Sequence, residues 1–422
     1  MLQAANHKLA RLYPGDAIGR QPVHTFIAPA DAFTVDSAHH AGRQAIDMLN
    51  EWAPTAQTFA NIIGLPPPIP GLADTVRARV VDKLAREPIE DFRLDFEDGY
   101  GTRDDAEEDG HAASAARQVA AAMAAKTLPP FVGIRIKPLS HELQARSLRT
   151  LDIFVTTLVK TAGRLPPHFA VTATKVMTPA HVSALAQRCA RLERKLRLQT
   201  KAIQLELMIE TPQAILAPDG SVQLPALVKA GRGRVRGAHF GVYDYTALCG
   251  ITAAWQHPRH LACDIARELM RISLAQTGVM LSDGSSNLLP IAPHIERAWK
   301  QHFDDVTHSL VNGFYQGWDL HPGHLATRYA AVYAFYLAAR PAATARLSNF
   351  FTKAAKAGAA FDDAATGQAL VNFFNRAISS GAITLDEAMQ TGLTDAELRT
   401  QSFRKILAAR QVSRTLTPHG GS

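Results

Sequence analysis

The sequence has little cysteine and no long apolar run. Its 422 residues include three cysteines, Cys189, Cys249 and Cys263, which are too few for a disulfide framework and favour a reducing compartment. No stretch approaches the ~20 apolar residues that cross a bilayer, and residues 1–8 have no apolar run that could serve as a signal peptide. We therefore expect a cytoplasmic protein without a membrane partner.

The signatures of several enzyme classes are also missing. No Gly-x-Ser-x-Gly turn is present, so a serine hydrolase has no support. Residues 231–234 are rich in glycine but have neither P-loop nor dinucleotide-binding spacing. The group of Cys249, His257, His260 and Cys263 is too irregularly spaced to favour a zinc site.

The charge is mildly basic, with a formal net charge of +7 and a pI near 9.4. Lysine and arginine are spread along the chain, with local clusters at residues 188–201 and 232–236 that we interpret as solvated faces. A nucleic-acid binder usually concentrates its positive charge on one surface. We therefore expect no nucleic-acid partner, and the positive surplus suits an anionic small-molecule substrate.

The chain alternates between strand-like and helix-like segments, which predicts a (β/α)8 TIM barrel. The competing architecture is an open doubly wound sheet, but the turn after the first strand, Ala28–Asp31, lacks the glycines usual in that fold. The eight candidate strands lie at residues 23–29, 92–99, 131–138, 169–176, 203–209, 238–242, 279–284 and 317–322.

The ends of the chain differ from this pattern. Residues 1–20 are interpreted as an N-terminal arm, and residues 21–340 as the barrel. Residues 341–422 are interpreted as a helical C-terminal extension with a disordered tail, and Pro341 is predicted to break the helices there. Since the extension can pack on the barrel or on a neighbouring subunit, we expect a homo-oligomer.

Polar side chains stand at the ends of several predicted strands, where barrel enzymes build their sites. Glu210 ends an apolar strand, so it needs a metal ion, a basic side chain or a cationic ligand nearby. Glu210 and Asp244 suit Mg²⁺, and Arg135 can grip a substrate carboxylate through two hydrogen bonds. The candidates at strand ends are Asp95, Glu97, Asp98, Arg135, Lys137, Lys175, Glu210 and Asp244.

Structural roles compete with these interpretations. Glu210 could cap a helix or pair with a basic side chain. Asp98 could be only a turn residue because it precedes Gly99. Lys175, which stands before a predicted helix, could also be structural.

Together, the strand-end segments resemble the HpcH/HpaI aldolase and citrate lyase β-subunit family, within the pyruvate/phosphoenolpyruvate-type barrels. The resemblance covers roughly residues 22–340 and depends on the order of the motifs. Its segments are Asp95–Gly99, Gly133–Ile136, Thr174–Val176, Met208–Thr211, Gly241–Asp244 and Trp318–Pro322. It implies a Mg²⁺-dependent barrel in which Glu210 and Asp244 hold the metal and Arg135 binds the substrate.

The chain also departs from that family. The interval between Glu210 and Asp244 contains the turn-like Asp219–Ser221 and is longer than expected, so their convergence is open. Tyr243–Tyr245 is closer to the Trp-Asp-Tyr of malate synthases. Lys137 stands where the family usually has asparagine, which suggests a second anionic group on the substrate.

These observations predict a Mg²⁺-dependent carbon–carbon lyase or aldolase, or the reverse condensation, acting through an enolate on a 2-oxo acid or acyl-CoA-type substrate. Mn²⁺ is an alternative ion. The alternatives are a phosphoenolpyruvate-type phosphoryl-transfer enzyme, with Arg135 and Lys137 holding phosphate, and a degenerate barrel that binds a ligand without turnover. The predicted residues are Arg135, Asp98, Glu97 and Lys175 for catalysis, Arg135, Lys137, Asp95 and Tyr243 for substrate binding, and Glu210 and Asp244 for the metal.

Overall fold

A computed structural model describes residues 2–16, 19–65, 69–357 and 364–416 of the chain. Within these ranges, eight parallel strands form one sheet and helices lie between them, so the predicted fold class is confirmed. The strands are β1 (His24–Pro29), β2 (Asp91–Asp95), β3 (Phe131–Ile136), β4 (Phe169–Ala173), β5 (Gln204–Ile209), β6 (Val235–Phe240), β7 (Met280–Ser282) and β8 (Gly317–Asp319).

The sheet closes on itself rather than remaining open. From β1 to β7 each strand pairs in parallel with the next, and β8 returns to pair with β1. The remaining gap is bridged by backbone hydrogen bonds from Asp283 N to Gln316 O (2.8 Å) and from Trp318 N to Gly284 O (3.3 Å). This closure excludes the doubly wound alternative.

The helices surround the barrel and continue beyond it. They are α1 (Leu2–Leu12), α2 (Ser37–Trp52), α3 (Ala56–Ile63), α4 (Leu72–Arg86), α5 (Asp105–Ala125), α6 (Gln144–Ala162), α7 (Pro179–Leu196), α8 (Pro212–Ile215), α9 (Leu224–Ala230), α10 (Val242–Leu248), α11 (Leu261–Leu274), α12 (Ile295–Val311), α13 (Pro322–Ala357), α14 (Ala364–Ser379), α15 (Leu385–Met389), α16 (Asp395–Thr400) and α17 (Phe403–Leu416). Short 3-10 turns occupy Ala30–Ala32 and Ala253–Trp255. No helix in the described ranges is long and apolar enough to cross a membrane.

The barrel interior is polar near the amino-terminal ends of the strands, where a group of ion pairs that we call the lower ion network lies. Arg93 on β2 contacts Asp91 at 2.6 Å and reaches Glu206 on β5 at 2.8 Å. Since β3 and β4 separate these strands in the sheet, the contact crosses the inside of the barrel. Gly133 on β3 leaves room for it, because a Cβ atom there would lie 1.9 Å from a guanidinium nitrogen of Arg93.

A small apolar layer lies above this polar network. Ile27, Met208 and Trp318 come from β1, β5 and β8, and they form a cluster separate from the main core. Met208 lies between Glu206 and Glu210 along β5, and strand alternation turns all three to the same face. The cluster therefore separates the lower ion network from the carboxyl-terminal mouth of the barrel.

The C-terminal extension is continuous with the barrel. The helix α13 runs unbroken through Pro341, so the prediction that this proline breaks the helix was wrong. The helix crosses the predicted domain boundary at residue 340. Packing explains why it continues, because Leu347 and Phe351 beyond the proline are buried. Glu387 on α15 accepts hydrogen bonds from Arg79 on α4 (2.8 and 2.9 Å) and fastens the extension to the barrel.

Helices occupy the described residues near both ends of the chain. In the predicted N-terminal arm, residues 2–12 form α1, which buries none of its residues. The tail predicted to be disordered begins at Thr415. Its first two residues belong to α17, and positions 417–422 lie outside the described residues.

Candidate active site

The carboxylate of Asp95 organises the mouth of the barrel. It is 1% exposed at the end of β2 and accepts hydrogen bonds from the backbone N–H groups of Glu97 (2.9 Å) and Gly99 (2.7 Å). It also receives Nε and one terminal nitrogen of Arg135, both at 2.7 Å. These four donors occupy both oxygens, so Asp95 orients Arg135 and has little capacity left for a substrate.

Arg135 projects from β3 into the mouth and stays charged. Its second terminal nitrogen lies 3.3 Å from Glu97, and its guanidinium carbon lies 5.7 Å from the ring centre of Trp318. Burial lowers the pKa of Arg135, but the hydrogen bond and charge of Asp95, with Glu97 and Glu210, raise it above its usual range. The guanidinium is therefore a fixed positive group.

Lys175 stands at the centre of the carboxylates. It follows β4 with a left-handed backbone (φ +46°), a conformation that non-glycine residues rarely adopt and that clusters at functional sites. Its ammonium contacts Glu97, Asp98 (3.2 Å) and Asp244 (3.7 Å). Burial lowers the pKa of Lys175, but the charge and hydrogen bond of Glu97 outweigh it and raise that pKa.

Glu210 and Asp244 converge on Lys175. Glu210 accepts a hydrogen bond from the backbone N–H of Lys175 at 2.6 Å and is 3% exposed. Asp244 lies in the first turn of α10. The inserted segment folds away as α9 and an antiparallel bridge between Leu216 and Val222. The long interval therefore leaves the two carboxylates around one lysine.

Local chain geometry explains how Glu210 is held. Thr211 caps α8, since its hydroxyl accepts from Ala214 N, so Glu210 lies between the end of β5 at Ile209 and the start of this helix. Gly241 passes so close that a Cβ atom there would lie 2.7 Å from a carboxylate oxygen of Glu210. Glycine at position 241 is thus required because the backbone directly after β6 passes so close to this side chain.

The acidic groups differ in their protonation. Loss of hydration raises the pKa of Glu210 to about 8; Lys175 opposes the shift, and Asp244 and Glu97 add to it. Loss of hydration, aided by Asp98, also raises the pKa of Glu97 against the pull of Arg135 and Lys175. For Asp98, burial raises the pKa, but the hydrogen bond with Glu97 and the charge of Lys175 bring it below its usual value.

The mouth carries more negative than positive groups. Five carboxyl groups, those of Asp95, Glu97, Asp98, Glu210 and Asp244, face two cations, Arg135 and Lys175, so negative groups remain in excess even while Glu210 is protonated. Carboxylate oxygens are the ligands that Mg²⁺ prefers, usually one or two of them with water and substrate oxygens. The donor set and the surplus of negative charge therefore fit a divalent cation held by Glu210 and Asp244.

Two predicted substrate-binding residues point elsewhere. Lys137 lies beyond the end of β3, so strand alternation does not carry it to the face of Arg135. Its ammonium instead contacts Glu108 on α5 and the carbonyl of Phe96, each at 2.7 Å. The hydroxyl of Tyr243 donates to the carbonyl of Ser285 at 3.0 Å and anchors the loop after β7.

Trp318 also belongs to the site, although it is not among the predicted site residues. Its ring lies beneath Arg135, and its indole N–H donates to His239 Nδ1 at 2.8 Å. His239 in turn contacts Glu206 at 3.2 Å, which joins the floor of the mouth to the lower ion network. Strand alternation with Gln316 could have placed Trp318 inside the barrel, since the two residues share a face.

A second polar cluster lies on the outer side of β8. It consists of His302, Asp319 and His324, three side chains whose possible metal-ligand atoms lie within 4.8 Å of one another. Asp319, however, already accepts from Arg328 at 2.8 Å and contacts His302 at 3.0 Å. The guanidinium supplies the positive charge that a metal would bring, so this cluster is structural.

The fold and the mouth define the class of protein, a (β/α)8 barrel with an acidic site at the carboxyl ends of its strands. Among solved structures it is similar to a citrate lyase from Burkholderia xenovorans LB400, with a TM-score of 0.57 and 16% identity over 91% of this chain and 100% of the other. This likeness supports the predicted resemblance at the level of the fold. A family model, "Domain of unknown function (DUF6986)", matches residues 2–406, and the chain belongs to this family.

Other solved structures are more distantly similar. A malate synthase from Haloferax volcanii has a TM-score of 0.48 and 13% identity over 92% of this chain and 99% of the other. Protein CitE from Mycobacterium tuberculosis, in complex with magnesium and acetate, has a TM-score of 0.42 and 16% identity over 74% and 90%. No curated protein matches the sequence.

Proposed function

We propose that this protein is a Mg²⁺-dependent carbon–carbon lyase or aldolase, or catalyses the reverse condensation, with a 2-oxo acid or acyl-CoA-type substrate. The observation that carries the proposal is the buried Glu210 beside Asp244, in a mouth where carboxylates outnumber cations. A bound Mg²⁺ or Mn²⁺ would polarise substrate oxygens and offset the negative charge that develops when the carbon–carbon bond breaks.

Arg135 is assigned to the substrate. Asp95 fixes its plane through two parallel hydrogen bonds, so the guanidinium pays little entropy on binding a carboxylate or an oxo group. Its raised pKa keeps it positive at every working pH. The fixed charge next to the metal ligands suits an anionic small molecule with an oxo group beside a carboxylate.

Glu97 is assigned to proton transfer. Its carboxylate lies between Arg135 and Lys175, and burial raises its pKa above the usual value for a glutamate, which suits a group that holds and releases a proton. Lys175 shares its ammonium with Glu97 and Asp98, so it can stabilise the ionised form after the proton has left. Asp98 is the more exposed of the two acids and keeps a low pKa, which suits an accepting role.

The position of Lys137 narrows the range of substrates that the site can be expected to bind. Its ion pair with Glu108 lies outside the mouth, so Lys137 gives no reason to expect a second anionic group on the substrate. The phosphoryl-transfer alternative also loses one of the two cations that it needs for a phosphate. Calorimetry with Mg²⁺ distinguishes the proposed enzyme from a degenerate barrel, because the degenerate barrel requires no binding of Mg²⁺.

A homo-oligomer stays part of the proposal, and light scattering of the purified protein tests it.

The substitution Glu210→Gln tests the assignment of the metal. It removes one anionic ligand, and we expect Mg²⁺ binding measured by isothermal titration calorimetry to weaken at least about tenfold, with a similar or larger fall in turnover. Cleavage of candidate 2-oxo acids and acyl-CoA esters provides the activity readout. The metal-free variant should be no less stable than the wild type, because Gln resembles the protonated Glu210.

The matched control is Glu193→Gln. Glu193 is also buried, but it pairs with Arg234 on the amino-terminal side of the barrel and accepts from the backbone of Lys201 and Ile203. This control should lose stability and keep its affinity for Mg²⁺. Wild-type protein without measurable Mg²⁺ binding would contradict the proposed function.

A further inference from the structure

The ammonium of Lys175 is placed where it neutralises the carboxylates of the mouth. It contacts Glu97, Asp98 and Asp244, which come from two separate parts of the barrel, the loop after β2 and the start of α10. In the described ranges, Lys175 provides the one ion pair that Asp244 makes. Asp244, a proposed metal ligand, therefore has a lysine as its counter-ion.

The backbone of the same residue reaches the other proposed ligand. Lys175 N–H donates to Glu210 Oε1 at 2.6 Å, so one residue contacts both Glu210 and Asp244. Its left-handed conformation, with φ at +46°, is costly for a side chain with a Cβ atom. Such strain persists only where the surrounding contacts hold it. Here those contacts are the carboxylates.

Electrostatics makes the lysine and a divalent ion alternatives. Carboxylates crowded into a partly buried mouth repel one another unless a cation lies among them. An ammonium and a divalent ion that approach the same oxygens repel each other as well. The lysine can therefore keep the ligands together without metal, but its charge works against metal binding.

We propose that Lys175 is a built-in counter-ion, which holds the carboxylate cluster together in the metal-free protein and competes with the divalent cation for Asp244. The inference rests on the proposed function, since it takes Glu210 and Asp244 as the metal ligands. Metal binding would release the ammonium from Asp244, while Glu97 and Asp98 keep it in the mouth. With one contact fewer, the ammonium would be more accessible to the substrate than it is in the metal-free protein.

The substitution Lys175→Met tests the competition, because methionine keeps much of the side-chain volume and removes the charge. We expect its affinity for Mg²⁺, measured by calorimetry, to rise at least about fivefold, the lower end of the usual coupling between two sites. Without Mg²⁺ the variant should melt at a lower temperature than the wild type, and added Mg²⁺ should restore more stability to it. Lys175→Arg, which retains the charge, should bind Mg²⁺ like the wild type.

Lys137→Met is the matched control, since it removes a buried lysine that is paired with Glu108 outside the mouth. Its affinity for Mg²⁺ should not change. An unchanged or weaker affinity in Lys175→Met would overturn the inference and leave the proposed function standing. Binding by Lys175→Met alone would support the inference and contradict metal use by the wild type, and no binding by either protein would overturn both.

A measurement on the wild type keeps the inference testable if Lys175→Met does not fold. Acetylation of lysines, quantified by mass spectrometry at each residue, reports how free each ammonium is. Labelling of Lys175 should rise when Mg²⁺ is added, while labelling of Lys137 should stay the same. Unchanged or lower labelling of Lys175 would show that the metal does not release it.

Discussion

At the scale of the residue, opposing electrostatic effects set the pKa of Glu210. Burial favours its neutral form, whereas the charge and backbone N–H of Lys175 favour the carboxylate. The resulting pKa of about 8 leaves the metal-free side chain mostly protonated at neutral pH. Since a carboxylate must be ionised to bind Mg²⁺, the proposed metal binding would be linked to proton release at this residue.

This linkage predicts the pH dependence of metal binding. At neutral pH, binding of Mg²⁺ should release about one proton, and the affinity should rise with pH until it levels off above about 8. Calorimetry in two buffers of different ionisation enthalpy measures the released proton. Glu210→Gln should show little release, and equal heats for the wild type in both buffers would contradict the prediction.

The sequence could predict which side chains meet at the mouth, but it could not assign all of their roles. Glu97, Asp98, Arg135, Lys175 and the two proposed metal ligands all lie there, because parallel strands end on one side of a barrel. Asp95 also lies there, but its oxygens are filled by Arg135 and two backbone N–H groups. Lys137 was predicted to point into the mouth because it shares strand alternation with Arg135. It pairs instead with Glu108 on the helix α5, and strand alternation gives no information about contacts with helices.

At the scale of the element, neighbouring residues of β2 point to opposite sides of the barrel wall. Leu94 and Ile134 face the helices and are fully buried, whereas Arg93 crosses the interior to Glu206. Such a crossing needs an empty position on the strand between. Gly133 provides it, since a Cβ atom there would also lie 2.2 Å from the carbonyl oxygen of Ala170.

Gly133→Ala should therefore be strongly destabilising. The backbone of β4 cannot move away without breaking the sheet, and we expect a loss of more than about 3 kcal/mol, at the high end for overpacking. Urea denaturation followed by circular dichroism measures it. In the control Gly110→Ala, on α5 with nothing near the new methyl group, stability should rise by about 0.5–1 kcal/mol. Similar effects at both positions would be evidence against tight packing at Gly133.

Regular elements were easier to predict than short ones. Strands and long helices are buried on regular faces, so their apolar residues recur with a period that the sequence shows. This alternation predicted all eight strands. The short helices α3, α8, α9 and α10 were not predicted, since four to eight residues hold too few turns for a periodic pattern. Pro341 was misread because local propensity predicts a break, whereas the packing of α13 keeps the helix continuous.

At the scale of the whole molecule, Asp319 joins the end of the barrel to its beginning. It lies at the end of β8, fully buried, and faces outward. It accepts from Arg328 on α13, contacts His302 on α12, and contacts His24 on β1 at 3.2 Å. Burial raises the pKa of Asp319, but Arg328 and the two histidines outweigh it and hold that pKa well below its usual range. One carboxylate thus links β8, α13, α12 and β1. In the sequence, Asp319 stood out only as part of the segment Trp318–Pro322.

Asp319→Asn should destabilise the whole protein, because it leaves Arg328 buried without its counter-ion. Breaking a buried ion pair in this way costs about 3–5 kcal/mol, which chemical denaturation would detect as a shift of the midpoint. Asp82→Asn is the control, since its pair with Arg86 on α4 is exposed and is worth about 0.3–0.5 kcal/mol. Comparable losses in both variants would contradict the central role of Asp319.

The pairing of β8 with β1 also constrains how the chain folds during synthesis. The ribosome releases β1 first, but its partner β8 becomes available only after nearly the whole barrel has been made. Until then the growing sheet keeps two unpaired edges, which are prone to join other chains. A ribosome that stalls before β8 therefore exposes a nascent chain in which the outer edge of β1 is still open to other chains.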